Sequence, residues 1–229
     1  MLAIIVPAHD EERDLDACLA SLAIAAQDPA LNGETVMVIV VLDDCTDGTA
    51  NIARRHGATS IAIHARNVGI ARSTGADHAL REGARWLAFT DADSTVAPDW
   101  LSAQLALNAD AVCGTVSVTD WGAYGERMGA HFSATYEQRH GHKHIHGANL
   151  GVSASAYQRA GGFPPLASSE DVALVQALEA CGCGIAWSAA PRVVTSARPT
   201  FKAPGGFGAT LARIEQLGQW VIAPKVVVA

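Results

Sequence analysis

The first 118 residues alternate short apolar runs with stretches of helical periodicity, and this rhythm constrains the fold more than any other feature. Leu2 to Val6, Thr35 to Leu42, Ser60 to His64, Trp86 to Thr90 and Ala111 to Val118 are apolar or β-branched runs of strand length. Leu15, Cys18, Leu19 and Leu22 fall at i, i+3, i+4 and i+7, which gives the intervening helix one apolar face. Further helices are expected from Thr46 to about His56, from Ile70 to Glu82, and through Leu107 with Pro98 in the first turn. Strands that are apolar throughout are buried on both faces, and regular alternation with helices makes the pairing parallel. The expected fold class is α/β, with a mostly parallel, Rossmann-like, doubly wound sheet flanked by helices.

From Asp120 the rhythm changes. Trp121 to Arg139 reads as a helix, and His140 to His146 as a polar loop. Asn149 to Ser153 is a short strand, followed by a helical turn or two over Ser155 to Ala160 that Gly161-Gly162 ends. Ser169 to Ala180 reads as a helix with Ser168 or Ser169 as its cap and acids in its first turn. Ile185 to Ser188 and Arg192 to Ser196 are two expected strands. Lys202 to Gly206 is a flexible linker, and a last amphipathic helix is expected from Phe207 to about Val221.

Charge and composition remove several classes of function. The formal net charge of the 229 residues is −7 with no basic run, which argues against phosphate-driven nucleic-acid binding. No apolar run reaches the roughly 20 residues needed to cross a bilayer, so no transmembrane segment is expected, and peripheral membrane association stays open. Met1 to Pro7 lacks a basic n-region and reads as the first strand rather than a signal peptide. Five scattered cysteines point to reduced thiols and a cytoplasmic protein. Cys181-Gly-Cys183 has no second pair nearby and reads as small residues at a helix end.

The chemistry concentrates where strands end. Polar loops at Ala8–Glu12, Asp43–Asp47, Arg66–Arg72 and Asp91–Ser94 follow apolar strands or turns, and such loops converge on one edge of a parallel sheet. Asp91 and Asp93 stand two apart, so extended backbone points both carboxylates to one side. Their repulsion calls for a cation, and paired oxygen ligands suit Mg²⁺ or Mn²⁺ beside substrate phosphates. The alternative is a polar turn that caps the next helix. No Gly-x-Gly-x-x-Gly follows the first strand and there is no P-loop, which disfavours dinucleotide and Walker-type sites.

Seven short motifs then occur in order. They are Val6-Pro-Ala-His-Asp-Glu-Glu12, Leu42-Asp-Asp-Cys-Thr-Asp-Gly-Thr49, Asn67 to Gly75, Thr90-Asp-Ala-Asp93, Gly147-Ala-Asn149, Gly161-Gly-Phe163 and Ser169-Glu-Asp171. Together they resemble a family 2 glycosyltransferase of the A-type fold, from about Leu2 to Asp171. The resemblance implies a soluble, metal-dependent enzyme that moves a sugar from a nucleoside diphosphate to a hydroxyl acceptor and inverts the anomeric centre. It implies a single domain with a nucleotide-binding half over 1–119, an acceptor-side half over 120–206, and a helix and tail over 207–229.

The resemblance also distributes roles. Pro7, Ala8 and His9 would line the base, Glu11 would hold the nucleotide or its neighbouring loop, and Asp44 would accept a hydrogen bond from the base with Asp43 in support. Asn67 lies on the loop that carries Arg72, whose guanidinium suits a phosphate; Arg66 is a competitor. Asp91 would bond the ribose or donor sugar and Asp93 the divalent metal. Gly147, Ala148 and Asn149 would approach the donor sugar or acceptor. Asp171 would be the general base and Glu170 would orient it or bond the acceptor. No Gln-x-x-Arg-Trp follows the acidic pair, which argues against a processive polysaccharide synthase. The late histidine that often completes the metal site has no match; Thr195-Ser-Ala-Arg198 stands there, and Arg198 would reach a phosphate or cap a helix. Two other functions fit less well: a nucleotidyltransferase of similar fold, which would want a basic Gly-rich loop after the first strand, and a catalytically silent sugar-nucleotide-binding module. His140, His142, His144 and His146 alternate, so an extended row could hold a transition metal; a polar loop over the acceptor site is the preferred reading. Donor sugar, base, acceptor and oligomeric state are not legible.

Overall fold

The computed structural model describes residues 1–202, 205–218 and 220. The chain begins with β1 (Leu2–Ala8), α1 (Leu15–Ala25), β2 (Val36–Asp43), α2 (Thr49–Arg55), β3 (Thr59–Ile63), α3 (Val68–Arg81) and β4 (Trp86–Phe89). It continues with β5 (Thr95–Val96), α4 (Trp100–Leu105), β6 (Ala111–Ser117), α5 (Gly125–Thr135), β7 (Leu150–Ser153) and α6 (Ala154–Ala160). It closes with α7 (Glu170–Ala180), β8 (Ile185–Val194) and α8 (Phe207–Leu217). One eight-stranded sheet runs in the order β3-β2-β1-β4-β7-β6-β8-β5.

Strand burial explains the pattern of β1. Leu2, Ile4 and Val6 join α1 and α2 in one core, while Ala3 and Ile5 join α3, α6 and α7 in the other. Fully burying a side chain of this size stabilises by about 1.5–3 kcal/mol relative to exposure, so a strand buried on both faces has only one favourable register. Val40 and Val41 in β2 and Leu87 and Ala88 in β4 divide in the same way.

The sheet is mostly parallel, as expected, with its antiparallel pairings confined to β5 and β7. β1 pairs parallel with β2 and β4, β2 with β3, and β6 with β8. β7 enters antiparallel between β4 and β6, and β5 pairs antiparallel with β8. An apolar run such as Leu150 to Val152 carries no sign of its direction. The two expected late strands are one. Gly114 pairs with Ser188 and its successor Thr115 with Arg192, so 189–191 bulge out of register. Pro191 sits in that bulge, where its missing N–H costs no ladder bond. The expected helix over Trp121 to Arg139 is a 3-10 turn at Gly122–Tyr124 followed by α5, which stops at Thr135 because Tyr136 turns extended. Ser169 stands at the N-cap of α7, but with φ 60° and no capping bond. α8 ends at Leu217 with Gly218 left-handed behind it; Val221 lies outside the described residues.

Candidate active site at the carboxyl edge of the sheet

β1, β2 and β4 end on the same edge, and the loops that leave them border one cavity of about 810 Å³. Pro7, Ala8 and His9 form one wall. His9 is fixed by a 2.7 Å hydrogen bond between Nδ1 and the carbonyl of Asp43. Asp43 is buried and accepts from the backbone N–H groups of Ala65, Arg66 and Asn67 at 2.7–2.9 Å. Asn67 then caps α3 by accepting from the Ile70 N–H at 3.0 Å. The loop after β2 therefore fixes the start of α3, and α3 carries Arg72 into the cavity wall.

Arg72 is buried, and its guanidinium donates to both Glu170 and Asp91. Burial alone would lower its pKa, but Asp91 and Glu170 raise it on balance. Burial pushes the Glu170 carboxyl up and Arg72 opposes that shift. The backbone of Gly147 lies against the same guanidinium: a Cβ there would stand 2.3–2.5 Å from Arg72 atoms, so no larger residue fits without moving it. The Gly147 N–H donates to Asp171 Oδ2 at 2.8 Å, and Asp171 Oδ1 accepts from the Val172 N–H at 2.8 Å. The turn at Gly147–Asn149 and the start of α7 thereby place Asp171 on the cavity wall.

A second cationic centre faces Asp93. Arg198, just past β8, meets Glu11 through Nη1 at 2.6 Å and Nη2 at 2.7 Å. The same guanidinium lies 3.2 Å from Asp14 and 3.2 Å from Asp93. Lys202 Nζ is 3.1 Å from Glu11 and donates to the carbonyls of His9 and Asp10. Burial, then the nearby Asp91, push the Asp93 carboxyl up to about 7, with Arg198 acting against both.

The structure brings Pro7, Ala8, His9, Glu11, Asn67, Arg72, Asp91, Asp93, Gly147, Ala148, Glu170 and Asp171 onto this one cavity. Two expected residues stand elsewhere. Asp44, in left-handed conformation, turns out of the cavity to Arg66 and to His64 at 3.3 Å, while Asp43, cast only as its support, lines the wall. Asn149 is buried behind the cavity, where it accepts from Trp100 Nε1 at 2.9 Å and donates to the carbonyls of Thr115 and Pro191 at 2.7 and 2.9 Å. Glu170 pairs with Arg72 rather than with Asp171.

The histidine run forms part of an aromatic pile. Phe132 stacks on Tyr136 with centroids 4.4 Å apart, and Tyr136 on His144 at 4.1 Å. His142 stacks 5.5 Å from His144, and His146 Nε2 is hydrogen-bonded to the Tyr136 hydroxyl at 2.8 Å. Burial lowers the His142 and His144 pKa values and takes His146 to about 4. Among the described residues no group of three or more His, Cys, Asp or Glu is arranged to hold a metal ion. Phe132 and Tyr136 are not among the expected site residues; the available signal was their spacing of four within the helix expected over Trp121 to Arg139, although Tyr136 lies just past the end of α5.

Comparison with known proteins agrees with this geometry. Sequence comparison with curated proteins gives no match. The structure is similar to S. aureus TarS 1-349 in complex with UDP-GlcNAc, with a TM-score of 0.65 at 15% identity over 94% of this chain and 65% of that one. It is similar to the mannosyltransferase PcManGT from Pyrobaculum calidifontis in complex with GDP-Man and Mn2+, with a TM-score of 0.64 at 20% identity over 94% of this chain and 60% of that one. The chain spans less than two thirds of the length of each of these structures, and at such identities the likeness is one of fold. No helix among the described residues is long and apolar enough to cross a membrane. The family model of glycosyl transferase family 2 matches residues 3–160, well over half of the sequence, and the chain belongs to that family.

Proposed function

We propose that this chain transfers a sugar from a nucleoside-diphosphate sugar to a hydroxyl acceptor, with inversion of the anomeric carbon and Asp171 as general base. The observation that carries the reading is how the carboxylates of the cavity are partnered. Glu11 and Asp93 face Arg198, and Asp91 and Glu170 face Arg72. Asp43 is consumed by three backbone N–H groups. Asp171 borders the cavity with a backbone N–H on each oxygen and no ion pair among the described residues. Each of its oxygens keeps a lone pair for an incoming proton, and among the described residues no guanidinium is hydrogen-bonded to it. Family membership and the donor complexes of the two similar structures support a nucleotide-sugar donor. In this reading residues 1–119 hold the donor and 120–206 face the acceptor.

Asp91 and Asp93 also fit a divalent cation. Two carboxylates two residues apart at the end of β4 both border the cavity, and such hard oxygen ligands beside a diphosphate would suit Mg²⁺ or Mn²⁺. Such an ion, when bound, neutralises charge on the departing diphosphate. The protein's own part is to orient. His9 offers a ring beside Pro7 and Ala8 to the base, the Asn67 loop borders the donor, and Asp171 accepts the acceptor's proton from the opposite side of the cavity.

A donor panel read by diphosphate release tests the activity, and Asp171→Asn tests the base. The substitution keeps size and should lower kcat by about 10²–10⁴ with donor affinity unchanged. Full turnover in the variant would remove Asp171 from the mechanism, and an NMR spectrum of the first-formed product showing retained configuration would remove the single displacement.

A further inference from the structure

The acidic end of the cavity already contains a cation, and it belongs to the chain. Arg198 reaches three carboxylates from two parts of the fold: Glu11 and Asp14 ahead of α1, and Asp93 behind β4. Its contact with Glu11 is bidentate, at 2.6 and 2.7 Å, and its contact with Asp93 is longer, at 3.2 Å. The strong end of this clasp therefore lies on Glu11 and the weak end on the carboxylate assigned to the metal. Arg198 follows Ala197, a buried residue packed with Met128 and Leu211, so the segment after β8 is anchored just beside the guanidinium. Lys202, four residues on, reaches the same loop at Glu11 and the carbonyls of His9 and Asp10. Both side chains border the cavity.

We propose that Arg198 is an exchangeable resident cation: it holds Asp93 until a divalent metal arrives, and the displaced guanidinium arm then takes an oxygen of the donor diphosphate. This deepens the glycosyltransferase reading and rests on its assignment of Asp93. The argument is one of charge. Asp93 cannot serve two full cations at contact without their repelling each other, so metal alone must break the Arg198–Asp93 contact, and the guanidinium, still on Glu11, is left with one carboxylate fewer around its charge. A diphosphate supplies the missing anion and accepts guanidinium N–H groups in good geometry. Metal and nucleotide therefore bind with positive coupling, and Arg198 adds to the part that a direct metal–diphosphate contact supplies. Lys202 stays on Glu11 throughout, which keeps that carboxylate paired while Arg198 moves.

The test measures Mn²⁺ affinity by electron paramagnetic resonance, with and without UDP or GDP, on the full chain and on Arg198→Gln. Wild-type protein should bind Mn²⁺ weakly alone and about tenfold more tightly with nucleotide. In Arg198→Gln, Mn²⁺ alone should bind about tenfold more tightly than to wild type, and the coupling to nucleotide should fall below the wild-type value. Unchanged or weaker Mn²⁺ binding to the variant without nucleotide overturns the exchange, as does no Mn²⁺ binding to either protein. Undiminished coupling overturns the diphosphate contact. If Arg198→Gln does not fold, Arg198→Met replaces it: it keeps an apolar stem and carries no charge, so Mn²⁺ alone should still tighten, and unchanged affinity is again the overturning result. The glycosyltransferase reading fails separately, when wild-type protein binds Mn²⁺ but no nucleoside diphosphate.

Discussion

Arg72→Met should be among the most damaging single substitutions outside the apolar core. Glu170 is 3% exposed and Arg72 4% exposed, and each is the other's buried ionic partner. Removing the guanidinium leaves the Glu170 carboxylate in the protein interior without a cation. Stranding one member of a buried pair typically costs about 3–5 kcal/mol. Asp91 also loses its partner, but its side chain is 37% exposed and water replaces the contact, so that part adds little. Replacing both residues by methionine removes the stranded charge, and Arg72→Met/Glu170→Met should recover most of the loss, with a coupling of about 3 kcal/mol in the cycle. Urea unfolding of the four proteins gives these values. The pH dependence supplies an independent sign. The Glu170 carboxyl already sits above the ordinary value of 4.5, and loss of Arg72 takes it higher. A raised carboxyl pKa means that the folded state holds the proton more tightly, so the variant's deficit should shrink as pH falls from about 8 toward that value. A cost below about 1 kcal/mol for Arg72→Met, or a double variant as unstable as the sum of the singles, would refute the reasoning.

Three other expectations follow from single contacts. Gly147→Ala places a Cβ 2.3–2.5 Å from the Arg72 guanidinium, which Glu170 and Asp91 hold in place, and should cost about 1–3 kcal/mol in urea unfolding. Asn149→Ala leaves Trp100 Nε1 and the carbonyls of Thr115 and Pro191 unpaired in the interior, and should cost about 3 kcal/mol by the same measurement. Arg85 holds the Glu34 carboxyl down at about 2, below its ordinary 4.5. That stabilisation is present above 4.5 and is lost as pH falls toward 2, so wild type should exceed Glu34→Gln by about 1 kcal/mol at neutral pH and by nothing at the acid end of a thermal-melt series.

The elements that read clearly from the sequence were those whose burial is written into every residue. β1, β2 and β4 are apolar on both faces, so their composition alone marks them as interior strands of a sheet. Neighbour and direction are set by packing that no local run records. Leu150 to Val152 reads the same whether β7 runs parallel or antiparallel, and the placement between β4 and β6 depends on the path of the whole 118–149 segment. Pro191 stands in the gap between the two strands expected there, and a proline in that place fits a bulge within one strand as well as a break between two.

Within the site, the loops that follow strands were legible because topology alone carries them to one edge. Which carboxylate does what was not, because that is decided by cations far away in sequence. Asp43 and Asp44 are adjacent and chemically equal, and only the path of residues 65–67 around Asp43 sends one into the cavity and the other to Arg66. Asn149 belongs to a motif expected to approach the donor sugar or acceptor, yet its amide matches the gap between Trp100, Thr115 and the Pro191 bulge, and that gap exists only once β6, β8 and α4 have met. Glu170 and Asp171 are neighbours at the start of one helix. The helical turn sends the first inward to Arg72 and the second across to Gly147. The distinction between a carboxylate spent on a guanidinium and one held by backbone N–H groups alone therefore arises from the hundred-degree step between consecutive helical residues, combined with an arginine 98 positions away.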